Sequence, residues 1–114
     1  DSRVSRGLGD VYKRQAPPEE LHRFFLACRE DGFQPARRRL RELLDRFGLA
    51  GTDLVNQLHR GLGDVPFLTE GQKLSVTQTM AEADFRMVEG GGEALQLDAM
   101  TARLCTLLSP EMKS

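Results

Sequence analysis

Few side chains in this sequence stand at spacings that do chemistry. The nearest to a catalytic set are His22, Cys28, His59 and Cys105, with the carboxylates Glu82 and Asp84. Nucleophilic catalysis needs a thiol or hydroxyl within hydrogen-bond reach of a base. His22 and Cys28 are six positions apart and so fall on different faces of a helix, and a dyad of Cys105 with His59 would have to be assembled by the fold. The two Cys lack CxxC or CxxH spacing and have only two His to help them, too few for the four-ligand pattern of zinc. Each reads instead as a small buried hydrophobe in a reducing compartment. No phosphate-cradling GxxxxGK[ST] or GxGxxG turn, no HExxH and no GxSxG occurs. The chain is expected to be no enzyme by itself, with no catalytic, cofactor-binding or metal residue.

One basic feature is sharp. Arg37, Arg38, Arg39 and Arg41 place four positive charges within five residues. They are candidate phosphate contacts, whose affinity for nucleic acid would fall steeply with salt. Against that, Arg38 with Glu42, Arg41 with Asp45 and Glu42 with Arg46 stand four apart, so a helix would partly neutralise the patch as a solvated face or subunit interface. The whole chain supplies no field of its own, since 16 basic residues face 17 acidic ones.

The elements that must carry these groups are helical. From Pro17 onward, apolar residues recur at i, i+3, i+4 and i+7. Leu21, Phe24, Phe25 and Cys28 form one such stripe, after Pro18, Glu19 and Glu20, which suit a first helical turn. A second helix from Pro35 carries Ala36, Leu40, Leu43, Leu44 and Phe47 and stops at Gly48. A third, with Thr52 as its cap, runs to about Leu62, where Gly61, Gly63 and Pro66 break it. Thr69 and Gln72 have capping-box spacing and open a fourth helix over residues 70–89. Its inner positions read as Leu74, Thr77, Ala81, Phe85 and Val88. Gly90 to Gly92 stop it. The fifth, over residues 93–108, carries Leu97, Met100, Leu104, Leu107 and Leu108. The fold class is therefore all-α, a five-helix bundle.

The 114 residues suffice for one domain, and residues 1–15 differ from the rest. That opening has no apolar period and carries four basic residues against two acidic, whereas residues 16–114 carry 12 against 15. Its SRGLGDVYKRQ run resembles translated sequencing-adaptor read-through, so it is set aside as non-native or as a disordered linker, and residues 16–114 are taken as the helical domain. No apolar run approaches the roughly 20 residues that cross a bilayer, and no signal peptide is evident. A cytoplasmic protein without membrane partners is the expectation.

The segment ARRRLRELLDRFGLAGTDLVNQLHR, residues 36–60, and the run from Leu68 to Leu104 resemble the C-terminal collar domain of the replication factor C small subunit, the archaeal and eukaryotic sliding-clamp loader. AEADFRMVEG at 81–90 and EALQL at 93–97 carry most of the likeness, with the Gly48-Leu49-Ala50-Gly51 turn and the opening PPEEL. The resemblance covers residues 17–108. It implies a five-helix oligomerisation domain that packs against its counterparts in a closed ring of five subunits, within an ATP-dependent parent that loads the clamp on primed DNA during replication. ATP and Mg would bind an upstream AAA+ module of that parent, and no residue here matches one of that module's motifs. Gly91 and Gly92 depart from the family's usual Ala-Asn, which should loosen the last connection.

Within this frame Glu82, Asp84, Arg86 and Gln96 are the subunit-interface candidates, because such a polar set suits hydrogen bonding between helices or subunits. A local pair of Glu82 with Arg86 on an ordinary surface is the plainer reading. The competing functional class is a free-standing helical adaptor or DNA-binding module that uses the Arg-rich second helix. An exposed ring-forming surface should also make the isolated domain self-associate weakly.

Overall fold

The computed structural model describes residues 15–110; the expectations for residues 1–14 fall outside the described residues. Five helices follow one another: α1 Pro18–Glu30, α2 Phe33–Phe47, α3 Gly51–Gly61, α4 Glu70–Val88 and α5 Glu93–Leu108. A short 3-10 turn, Leu62–Asp64, follows α3. No strand occurs among the described residues.

The helix ends follow local chemistry. The Thr69 hydroxyl accepts from the Gln72 amide at 3.1 Å, while the Gln72 side chain accepts from the Thr69 amide at 2.9 Å, the reciprocal box that the spacing predicts. Gly48 ends α2 in the left-handed conformation at φ 63°, and the Leu49 amide donates back to the Leu44 carbonyl at 2.9 Å. The end of α4 repeats this arrangement. Gly90 takes φ 104°, its amide donates to Met87 at 3.2 Å, and the Gly91 amide donates to the Arg86 carbonyl at 2.8 Å. The glycine run is thus closed by two backbone hydrogen bonds, where a looser connection was expected. Two helix starts differ from the sequence reading: α2 begins at Phe33, two residues ahead of Pro35, and α3 begins at Gly51 with Ala50 as its flanking residue, so Thr52 lies inside the first turn and does not cap it.

Helix α5 organises the core. It packs against each of the other four helices, most extensively against α4, while α1 also packs on α2 and α3 on α4. Leu97, Met100, Leu104 and Leu108 are buried as the periodicity predicts, and they meet Phe24 and Phe25 of α1, Leu40 and Leu43 of α2, and Leu54 and Leu58 of α3 in one apolar cluster. Thr101 is fully buried among them. Its hydroxyl donates to the Leu97 carbonyl of its own helix at 2.8 Å, so it needs no partner from a neighbour.

The expected inner face of α4 is wrong. Leu74, Phe85 and Val88 are exposed and so is Ala81, whereas Val76, Met80 and Ala83 are buried and Met87 packs against the core. At about 100° per residue the two stripes lie roughly 130° apart around the helix. The helix is apolar on two sides, and the side with the bulkier residues faces outward.

Replacing Leu104 by Ala should cost about 2–5 kcal/mol, because a fully buried side chain on the hub helix leaves a cavity that four neighbours cannot all close. Urea unfolding measures this. Thr69→Ala should cost about 1 kcal/mol through loss of the box, with the same measurement.

Candidate subunit interface

The four interface candidates do not all meet. Arg86 donates to the Glu82 carboxylate at 2.8 Å through one guanidinium nitrogen and at 3.2 Å through Nε, one helical turn apart on α4. Gln96, on the first turns of α5, lies across from them. Together Glu82, Arg86 and Gln96 line a groove of about 460 Å³ between α4 and α5, along with Gln78 and Arg103. Asp84 does not line it and is half-buried elsewhere on α4. Gly91 has no room for a side chain beside this groove, since a Cβ there would stand 2.8 Å from the Arg86 carbonyl and 3.2 Å from the Gln96 amide nitrogen.

Beside this groove stands the feature that sequence reasoning assigned to the core. Leu74, Phe85 and Val88 are 66%, 63% and 68% exposed on α4, and Leu95 of α5 is 69% exposed. Single exposed apolar residues need no explanation, but four large ones spread over two adjoining helices leave an apolar surface without a cover in the isolated chain. Burying such a side chain fully stabilises by about 1.5–3 kcal/mol. A surface with apolar residues beside an ion pair and an amide has the makeup of a protein–protein contact, where an apolar centre adjoins a polar rim.

The arginine cluster is differently employed. Arg37 Nε lies 3.1 Å from Asp98 Oδ1, and Arg41 reaches both Asp98 oxygens at 3.1 and 3.2 Å, so both bind the same carboxylate of α5. Arg39 and Arg46 both approach Glu20 of α1, at 3.9 and 3.6 Å. The predicted pairs within α2 give way to pairs between helices, because the carboxylates of α1 and α5 flank the α2 surface. Arg38 is exposed.

The catalytic candidates are dispersed. His59 is exposed on α3 and does not line the cleft that holds Cys105. His22 lies in a shallow depression with Gln57, Arg60 and Asp64. Cys28 is buried, but Cys105 is only half-buried and faces Cys28 rather than a base, which corrects the expectation of two separate buried thiols. No group of three His, Cys, Asp or Glu among the described residues is placed to hold a metal ion. No described helix is long and apolar enough to cross a membrane.

Sequence reasoning missed one further polar residue. Gln57 of α3 is buried, and its side-chain oxygen accepts from the Ala16 amide at 2.9 Å. Its position, between Leu54 and Leu58 on the inner stripe of α3, was the available signal.

Comparison with known proteins agrees with this geometry. The model of the replication factor C C-terminal domain matches residues 16–103. The chain is similar to the replication factor C small subunit of Thermococcus kodakarensis, 35% identical over 89 residues, which is 78% of this chain and 10% of that protein. It is 36% identical over 92 residues to that of Archaeoglobus fulgidus, covering 81% of this chain and 28% of the relative. With that of Staphylothermus marinus it shares 33% over 103 residues, 88% of this chain and 31% of the relative. The chain therefore spans between about a tenth and a third of the length of these curated relatives. A free-standing adaptor or DNA-binding module is not favoured by these matches.

Replacing Asp98 by Ala leaves Arg37 and Arg41 without their shared carboxylate. All three side chains are partly exposed, so the loss should be about 0.5–1 kcal/mol and should shrink in 1 M NaCl, as read by urea unfolding at low and high salt.

Proposed function

The chain belongs to the replication factor C C-terminal domain family, and from that premise we propose that it joins subunits of a sliding-clamp loader into a ring, doing no chemistry of its own. The observation that carries the reading is the outward apolar stripe of α4, Leu74, Phe85 and Val88, continued by Leu95 of α5. The groove of Glu82, Arg86 and Gln96 between the same two helices offers the polar groups of a contact rim.

The parent, in this reading, is an AAA+ ATPase that loads the clamp on primed DNA during replication. Its partners are other clamp-loader subunits in a hetero-pentamer, with the clamp and DNA met through the rest of the parent. ATP and Mg bind in the parent's ATPase module and not on these helices. The protein works in the cytoplasm, where an archaeal chromosome is replicated. Arg37, Arg39 and Arg41 hold helices together, and Arg38 is the member of the cluster available to a phosphate.

Light scattering after size-exclusion over a concentration series tests the surface on the chain itself. The apparent mass should rise with concentration, and Phe85→Ser with Val88→Ser should hold it at the monomer value while moving the melting temperature by no more than about 2 °C, as for exposed positions. A strict monomer at every concentration overturns the assignment. In the full-length complex, Arg86→Ala should weaken subunit assembly and leave the domain's own melting temperature unchanged.

A further inference from the structure

The two thiols meet where the C-terminal ends of α1 and α5 come together. Cys28 sits two residues before the end of α1, and Cys105 three before the end of α5. Both line a cleft whose other walls are Arg29, Glu30, Asp31 and Gly32 from the end of α1, and Thr106, Ser109 and Pro110 from the end of α5. The pair is asymmetric. Cys28 is buried, whereas Cys105 is half-buried at the cleft wall, within reach of a small solute. Hydrogen bonding with Cys105, followed by burial, pushes the Cys28 thiol up from its ordinary value, and the same hydrogen bond pulls that of Cys105 down. Helix C-termini disfavour a thiolate, and the cleft also carries Glu30 and Asp31 together with the cation Arg29.

We propose that Cys28 and Cys105 are a redox-active pair, oxidised by a low-molecular-weight disulfide to an intramolecular bond that staples the end of α1 to the end of α5. The half-buried Cys105 thiolate attacks one sulfur of the small disulfide, forming a mixed disulfide and expelling one small thiolate, which takes up the proton that Cys105 lost. The Cys28 thiol then gives up its proton and attacks the Cys105 sulfur, and the second small thiol leaves with that proton. Two protein thiols are oxidised and one small disulfide is reduced to two thiols. Exposure assigns the roles: the reachable sulfur is attacked from solution, and the buried one resolves the adduct. The loop so closed runs through all five helices, the kind of long loop whose cross-linking constrains the unfolded chain most.

The test treats the folded chain with oxidised glutathione and reads thiol number, intact mass and a non-reducing peptide map. The expected product is a monomer that has lost two hydrogens, with the peptides of Cys28 and Cys105 joined, a melting temperature higher by about 10 °C and full reversal by dithiothreitol. Cys28→Ser should stop the reaction at a glutathione adduct on Cys105. The proposal is overturned if the wild-type chain keeps both thiols, if it halts at the same adduct as Cys28→Ser, or if it forms only bonds between molecules. A cross-linked monomer that melts no higher than the reduced one overturns the stapling role.

Discussion

One helix must satisfy four neighbours. Among the described residues, 93–108 form a helix that packs against α1, α2, α3 and α4 alike, and its buried set Leu97, Met100, Leu104 and Leu108 gives those helices a common surface. The remaining polar group at that centre, the Thr101 hydroxyl, is satisfied by its own helix. Along that stripe shape and apolar burial dominate the arrangement. Directional interactions sit at the periphery, where Asp98 gathers Arg37 and Arg41 and Glu20 draws Arg39 and Arg46 toward α1. The α2 surface is thereby fastened along both edges by charges while its apolar stripe fills the centre.

A hub of this kind has a consequence for α4. That helix meets α5 and α3, and it spends only Val76, Met80, Ala83 and part of Met87 on them. Its other large apolar residues, Leu74, Phe85 and Val88, are left mostly exposed. A helix that keeps large hydrophobes on the outside is what the proposed subunit contact requires, and the relatives in this family are named as subunits.

Most of the helix framework was legible in the sequence because it rests on local chemistry. The Thr69 and Gln72 box, the stop at Gly48 and the glycine break after Glu89 each act within a few residues, and each is found where the spacing puts it. The inner face of α4 was not legible. Both of its stripes satisfy the helical period, and the rule that the bulkier stripe goes inside fails here, with Leu74, Phe85 and Val88 left exposed. The ion pairs of α2 were misread for a related reason: spacing along one helix offers Glu42 and Asp45, but only the packed bundle reveals that Asp98 and Glu20 are available. The proximity of Cys28 and Cys105 lies 77 positions apart in the chain and leaves no trace in spacing. Of the interface candidates, Glu82, Arg86 and Gln96 were brought to one groove, while Asp84, on the same helix, was carried round to another side by the helical rotation.

The bond between the Ala16 amide and the buried Gln57 side chain bears on mechanics. It fastens the backbone just ahead of α1 to the middle of α3, so the chain enters the bundle at a fixed place and a fixed heading. A pull or twist arriving along the backbone before Ala16 is divided between α1, through its covalent continuation, and α3, through a hydrogen bond shielded from water. The bundle thus meets that backbone at two points, one covalent and one polar, instead of at a single swivel.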